Sequence, residues 1–485
     1  MSTHWQLLPF NFRRMKDGRI LLVNQAGGFS FISTSDFEKV LSGKIEPDSR
    51  LYYRLQDAHI LADDDLDLQV EMLANQLRSR KSFLNDFTSL HMVVVTCRCN
   101  FHCEYCHASS SDLSLRKGDM SSEVASQTVK QIFSSPSQEV KIEFQGGEPL
   151  LNWPIIKQIV EQAEKINQVA KRRLEFVICT NLTLMTEDIA VYCKQHNIYI
   201  STSMDGPEEI QNANRHPRDN CNGYEQFKRG LAVARNIIGR DACSPLLTVT
   251  KSNLHKLNIV VNHYLDMGFH GVFIRALNPY GYAVTNMDKL GYGVEEFVDA
   301  YKHCLNYIIA QNLKGNYFIE YYAALLLQRI LTPFSTGFVD LQSPCGDVIG
   351  GALYDYDGNV YASDEGRMLA RTGDRKFLLG NVMRDDWQDI FAGSKAREIV
   401  RASCVETLPE CALCAYKSYC GASPVRYYTE CGDYYGRRAS SDFCRKNKMI
   451  IDYVFELLSK QDDDINDVFA SWLTERPLEE IRRHD

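Results

Sequence analysis

Cys99-Asn100-Phe101-His102-Cys103-Glu104-Tyr105-Cys106 carries three cysteines in the spacing C-x3-C-x2-C. Just ahead of it runs His91-Met-Val-Val-Val-Thr96, an apolar, β-branched stretch that reads as a buried strand. The cysteines therefore sit on the loop that leaves a strand. Three thiolates within eight residues can hold three corners of an iron–sulfur cube. Four cysteines are the norm for such clusters, so a set of three leaves one iron open to a ligand. Zinc is the rival reading: structural zinc closes with four ligands, usually from CxxC pairs, and His102 or His107 could supply a fourth.

The rest of the chain bounds this chemistry. At 485 residues it calls for two or three domains. The formal charge of −8 argues against general binding to nucleic acid or anionic membrane. No apolar run approaches the ~20 residues of a membrane span, and the N-terminus lacks the apolar core of a signal peptide. Sixteen cysteines without an export signal imply a reducing, cytoplasmic setting and metal binding rather than a disulfide framework.

Residues 1–85 read as a separate unit. Arg19–Asn24 and Gly28–Ser33 form two strands joined by a turn, and a helix capped near Ser33 follows, with another over Leu51–Ile60. The Asp63–Asp67 run lacks the glycine and distal glutamate of a calcium loop and reads as a solvated acidic turn. From His91 to Gly281 strands alternate with helices. Strands are expected at 91–96, 140–145, 174–180, 198–203, 246–251 and 271–276. Helices are expected near 121–134, 154–170, 186–196, 224–238 and 255–267. Six strands with intervening helices imply an α/β fold with a parallel sheet wound by right-handed crossovers. In barrels of this kind, chemistry gathers at the C-terminal strand ends.

Those ends are furnished. The second carries Gln145-Gly-Gly-Glu-Pro149, where glycines admit close backbone approach and Glu148 can accept from an ammonium. The third ends in Thr180-Asn181 and the fourth in Ser203-Met-Asp-Gly-Pro207, followed by Asn214-Arg215. Asp205 fits either a turn or a local hydrogen bond. The sixth ends at Ile274-Arg275. Cys97 lies outside the C-x3-C-x2-C register. Cys179, Cys193, Cys221, Cys243, Cys304 and Cys404 stand alone, and lone cysteines are usually inert core residues. Helices near 294–312 and 317–331 lead to a tail in which Leu353–Tyr361 reads as a hairpin turning at Asp357-Gly358. Cys411, Cys414, Cys420 and Cys444 make a competent four-thiolate site, for a cluster or for zinc.

C-x3-C-x2-C with Tyr105 before the last cysteine resembles the signature of the radical S-adenosylmethionine (SAM) enzymes. The resemblance implies a partial (β/α)6 radical SAM barrel, a [4Fe-4S] cluster on Cys99, Cys103 and Cys106, and SAM on the free iron. The cofactor contacts it implies begin with Tyr105, Gly146, Gly147, Glu148 and Pro149. Asn181, Ser203, Arg215 and Ile274 complete them. The tail resembles the SPASM extension of peptide-modifying radical enzymes. Cys345 and Gly358 match its pattern, but Ser363 and Pro424 stand where it has cysteines. The implication is one auxiliary [4Fe-4S] cluster, on Cys411, Cys414, Cys420 and Cys444. Cys431 is spare. The N-terminal hairpin and helices are similar to winged-helix modules that capture leader peptides, the other reading being a structural cap.

Across its length, through Leu7–Phe10, Leu90–Val95, Lys141–Leu150 and Tyr361–Asp364, the chain resembles the His-Xaa-Ser system radical SAM maturase, B-type. That implies a three-part organisation: 1–85 for peptide recognition, 86–335 for the barrel and 336–485 for the SPASM-like region and C-terminal helices. It also implies an oxidoreductase that matures a ribosomally made peptide or small protein. An external electron donor and a second radical SAM enzyme are the implied partners. Two alternatives stay open: a sulfatase-type maturase oxidising Cys or Ser on a protein, and an idle leader-binding scaffold for a paired enzyme.

Overall fold

The structure is a computed structural model that describes residues 5–63 and 65–482. Its central strand is β4 (Leu90–Thr96), preceded by an N-terminal unit of β1 (Phe10–Arg14), β2 (Ile20–Asn24), β3 (Phe29–Ile32), α1 (Thr34–Leu41), α2 (Arg50–Asp57) and α3 (Leu66–Arg80). After β4 come α4 (Ser122–Phe133), β5 (Glu139–Gly146), α5 (Trp153–Ala170), β6 (Arg173–Thr180), α6 (Glu187–Gln195) and β7 (Ile198–Ser203). Then follow α7 (Gly223–Ile237), β8 (Cys243–Thr248), α8 (Leu257–Asp266), β9 (Gly271–Arg275), α9 (Val294–Leu313) and α10 (Tyr321–Leu331). The chain finishes with β10 (Gly351–Tyr354), β11 (Asn359–Tyr361), α11 (Asp364–Arg371), β12 (Leu378–Asn381), α12 (Asp442–Ser459) and α13 (Asp463–Thr474), among shorter pieces.

The main sheet runs in the order β9-β8-β7-β6-β5-β4-β10-β11-β12, with the two-residue strand Ile319–Glu320 outside β9. All pairs from Ile319–Glu320 through β4 to β10 are parallel, and β10, β11 and β12 pair antiparallel. This is the α/β sheet the alternation implied. Its centre explains the β-branched run of β4. Val93 and Val95 pack with the helix layer, while Met92 and Val94 pack with Leu353 and Tyr361 of β10 and β11. Buried on both sides, β4 has no polar face to alternate. The tail hairpin thus extends the barrel's own sheet, with Gly351 opposite Leu90.

Two elements differ from the sequence reading. The strand expected at 246–251 is β8, three residues earlier. It ends at Thr248 because a side chain takes over there: Thr250 N donates to Asn253 Oδ1 at 2.8 Å, and Asn253 Nδ2 donates to Thr248 O at 3.1 Å. The helix expected from 317 starts at Tyr321, since Ile319–Glu320 pairs with β9 and Glu320 caps the helix from its carboxylate. β1 and α3 were not foreseen. β1 is short and half-exposed, and α3 leaves Leu68, Val70, Met72 and Leu77 exposed, so neither shows a clean apolar stripe. In the acidic run, Asp65 is the α3 N-cap, accepting from Leu68 N at 3.0 Å; Asp64 lies outside the described residues.

The N-terminal unit docks on α12. Phe29 packs edge-on against Phe455 with centroids 5.1 Å apart, Arg13 makes a two-pronged pair with Asp452, and Tyr419 OH donates to Gly27 O. β3 is the edge of the β1-β2-β3 sheet. Asn24 N donates to Gly28 O, and bonded pairs alternate along an antiparallel ladder, so the backbone groups of Phe29 and Phe31 point away from β2. Phe29 lines a groove of about 700 Å³ with Arg50, Tyr53, Arg54, Asp57 and Arg80, and Leu331–Pro333 line it as well. Arg54 Nη1 donates to Phe31 O at 3.1 Å.

Glu320 joins β9 to α10 and yields a pH prediction. Its carboxylate accepts from Tyr301 OH and from Ala323, Ile274 and Tyr322 N–H, and burial pushes its pKa from 4.5 up to about 7. A carboxyl whose folded pKa lies above its unfolded one binds its proton more tightly in the native state. Its contribution is therefore most favourable below 4.5 and declines as pH rises to about 7. Glu320→Gln is expected to flatten this part of the stability–pH curve, a span of roughly 3 kcal/mol. Urea unfolding at pH 5 and pH 7.5 measures it; equal slopes in both proteins would contradict the assignment.

Candidate active site

The cluster loop leaves β4 and is held by backbone hydrogen bonds on two sides. Phe101–Cys103 pairs antiparallel with Arg215–Pro217, which sets Cys103 opposite Arg215. On the other side, Gly147 N donates to Thr96 O at 2.9 Å and Glu148 N donates to Arg98 O at 2.8 Å. A Cβ on Gly147 would lie 2.2 Å from Arg98 O, and one on Gly146 2.2 Å from Thr96 O. The close approach for which these glycines are needed is thus to the cluster loop itself. Arg98 reinforces it with two bonds to Asp119, at 2.8 and 2.7 Å.

Cys99, Cys103 and Cys106 gather with Phe101 at the mouth of the sheet, beside a cavity of about 560 Å³. Burial pushes the Cys103 thiol up to about 12, with Arg215 opposing, and Cys99 well above its usual value. Such thiols stay protonated until a cation displaces the proton. Tyr105, Gly146, Gly147, Asn181, Ser203, Arg215 and Ile274 also line this cavity, so the strand ends converge as the sequence implied. Glu148 and Pro149 lie behind the wall. The Glu148 carboxylate is buried and accepts from Thr180 Oγ1 at 2.7 Å, Asn181 N at 2.9 Å and Leu150 N at 3.1 Å. Asn181 bonds to Asn100 and Thr183.

Asp205 is the residue whose turn-forming reading the structure replaces. It is fully buried and takes two bonds from Tyr105 OH, at 2.9 and 2.7 Å, while Arg215 Nη1 donates to the same hydroxyl at 2.7 Å. This chain of groups ties the last turn of the cluster loop to the end of β7. Arg215 Nε is buried without a partner on the cavity wall, and a cofactor carboxylate could accept from it. The Ser203 hydroxyl lines the same wall. Three thiols, an unpaired guanidinium nitrogen and a free hydroxyl suit an iron–sulfur cluster with a zwitterionic ligand.

Most of the far wall comes from the tail and was not foreseen, whereas Arg275, at the end of β9, stood among the strand-end residues read from the sequence. Asp340, Asp347, Asp364 and Glu365 line the cavity together with Arg275, Arg426 and Lys446, and Arg275 Nη2 lies 3.9 Å from Glu365 Oε1. Burial raises Asp347 to about 7 and lowers Lys446 to about 8. Asp347 accepts from Ser423 Oγ at 2.8 Å and from the Cys345 thiol at 3.2 Å, so Cys345 is spent on a hydrogen bond. These residues are scattered over a hundred positions in sequence, and in the tail only Tyr361–Asp364 carried a signal. Cys97 is buried and its sulfur accepts from Arg367. Three lone cysteines are not core residues: Cys179 lines the cavity, Cys404 is half-buried and Cys221 is exposed.

Cys411, Cys414, Cys420 and Cys444 surround a second, small cavity of about 40 Å³. Burial pushes Cys411 up to about 11 and raises Cys420 and Cys444 as well. Tyr416 N donates to Cys414 Sγ at 3.4 Å, and Asn447 Nδ2 donates to Cys420 Sγ at 3.8 Å. Among the described residues no three His, Cys, Asp or Glu side chains converge on one ion-sized point. A cubane spreads its thiolates over separate irons, whereas zinc draws its sulfurs to about 2.3 Å from one centre. The donor sets at both sites fit the cluster better.

Residues 93–260 match the model of the Radical SAM superfamily. The chain is similar to a cysteine-type anaerobic sulfatase-maturating enzyme of Clostridium perfringens, with 25% identity over 74% of this chain and 94% of that one. Its fold is similar to native anSMEcpe with bound AdoMet, at a TM-score of 0.61, 22% identity, and coverage of 78% of this chain and 100% of that one. It is also similar to Streptococcus suis SuiB bound to the precursor peptide SuiA, at 0.51 and 13%, over 90% of this chain and 98% of that one. The barrel has the radical SAM fold.

Glu148→Gln leaves one of three buried donors without an acceptor. We expect it to lower the unfolding free energy of the iron-free protein by about 1–3 kcal/mol. Denaturant titration checks this; unchanged stability would mean that Glu148 does not hold the Thr180–Asn181 turn.

Proposed function

We propose that this chain is a radical SAM maturase of a ribosomally made peptide or small protein. The observation that carries the reading is the convergence of Cys99, Cys103 and Cys106 with the ends of the parallel strands around one cavity. When bound there, a [4Fe-4S] cluster and SAM supply a 5′-deoxyadenosyl radical that removes a hydrogen atom from substrate. The chain's residues do the rest. Three thiolates bind the cluster. Arg215 and Ser203 orient the cofactor carboxylate, Ile274 packs on its adenine, and Tyr105 with Asp205 fixes Arg215. Glu148 acts by holding Asn181 in place. The walls exclude water, and Asp347, raised to about 7, can take a proton at neutral pH. Cys411, Cys414, Cys420 and Cys444 hold one auxiliary cluster.

The N-terminal unit supports a peptide as substrate. The outward backbone groups of Phe29 can pair with an added strand, and α2 walls the groove. Arg50, Arg54 and Arg80 favour an acidic segment. The sequence resemblance makes a His-Xaa-Ser type protein, acted on beside a second radical enzyme, the specific form of this reading. An external electron donor is required in either case. The likeness to the clostridial enzyme favours a second reading, oxidation of Cys or Ser on a sulfatase-type protein.

Anaerobic reconstitution is expected to give about eight irons per chain, from two cubanes, and 5′-deoxyadenosine after reduction with SAM. About four or twelve irons would refute the two-cluster assignment, and absence of deoxyadenosine would leave an idle scaffold. Arg50→Glu combined with Arg54→Glu should raise the KM for peptide modification about tenfold or more, roughly 1.4 kcal/mol, with uncoupled SAM cleavage unchanged. This variant avoids deleting a unit that covers Phe455. An unchanged KM would remove the groove from recognition, and mass spectrometry of the product separates cross-linked or otherwise modified peptide from an oxidised Cys or Ser.

A further inference from the structure

Helix α12 is the partition between the two cavities. Phe443, Lys446, Asn447 and Ile450 line the large one, and Cys444, Asn447, Lys448 and Ile451 line the small one. Each set has the i, i+3, i+4, i+7 spacing of one helical stripe. The stripes lie side by side and share a single residue, Asn447.

Asn447 is 1% exposed, buried one turn before Ile450 and Ile451 although Lys446 and Lys448 flank it in sequence. An amide there costs stability unless both ends are bonded. Both are. Nδ2 donates to Cys420 Sγ at 3.8 Å in the thiolate site, and Oδ1 accepts from Tyr322 OH at 3.4 Å on the side of the active-site cavity. Tyr322 is itself buried on the cavity wall, against Phe273 and Phe338. Two side chains therefore connect the cavity to a cysteine of the tail site.

We propose that Asn447 tunes the reduction potential of the cluster held by Cys411, Cys414, Cys420 and Cys444 and couples it through Tyr322 to the active-site cavity. This rests on the auxiliary-cluster reading above. A hydrogen bond to a thiolate stabilises the more negative, reduced state and so raises the potential. The Tyr322 hydroxyl orients the amide so that its donor faces the sulfur. The role suits a two-electron oxidation of the peptide: the first electron leaves with the abstracted hydrogen atom, and the second needs an acceptor. An oxidised auxiliary cluster held by these thiols would be that acceptor, and a cavity carboxylate would take the proton released as the new bond forms.

The test is a redox titration of anaerobically reconstituted holoenzyme, followed by electron paramagnetic resonance, with Cys411→Ala identifying the tail signal. Asn447→Leu, with full iron content, is expected to move the tail midpoint to more negative potential and leave the Cys99/Cys103/Cys106 midpoint in place. Tyr322→Phe, which removes only the hydroxyl that bonds Asn447, should move the same midpoint in the same direction by less. An unmoved tail midpoint in iron-replete Asn447→Leu overturns the proposal. If that variant loses iron, Tyr322→Phe decides, and an unmoved midpoint there overturns it. A wild-type protein with one cluster's worth of iron and one signal would instead overturn the underlying reading of the tail thiols.

Discussion

The structure depends on a short run of backbone contact between two loops, the one that carries the cysteines and the one that carries Gly146 and Gly147. Thr96 and Arg98 present carbonyls to the N–H groups of Gly147 and Glu148, and a side chain on either glycine would meet those oxygens. This contact fixes where the thiols stand relative to the ends of β5 and β6. Glu148 then carries the constraint onward, because its carboxylate holds Thr180 and Asn181. The ends of β4, β5 and β6 are thus tied together by the chain's own hydrogen bonds.

The tail completes this barrel as much as it extends it. β10 and β11 supply Leu353 and Tyr361 to the inner face of β4. Helix α11 then crosses the mouth. Its first residues, Asp364 and Glu365, face the cavity, and further along Arg367 donates to Ala108 O and to Cys97 Sγ while pairing with Asp355. Arg371 reaches Ser109 O. The loop that follows the third cysteine is thus pinned by the tail, so the cluster loop and the substrate wall share one rigid element. The N-terminal unit is tied to the same body through α12, by Phe455, Asp452 and Ser459. A peptide held at β3 would be tethered near the barrel, raising its effective concentration there.

Much of this was written locally in the sequence. The C-x3-C-x2-C spacing, the β-branched run before it and the strand–helix alternation determined the fold class and the mouth of the sheet as the site. Those signals are local because a parallel sheet is built of repeating units and a cluster binds through a short loop. The glycines were legible as a close approach, but not what they approach. Asp205 read as either a turn former or a local hydrogen-bonding group because its partner, Tyr105, lies 100 residues away. The acidic and basic groups on the far wall, from Arg275 to Lys446, carry no spacing at all. Only tertiary structure brings them together, since burial and the pairing of distant charges are properties of packing. The double face of Asn447 is of the same kind: the sequence holds an asparagine among charged neighbours on an amphipathic helix, and only the packing of α12 between two cavities buries it and gives each end of its amide a partner.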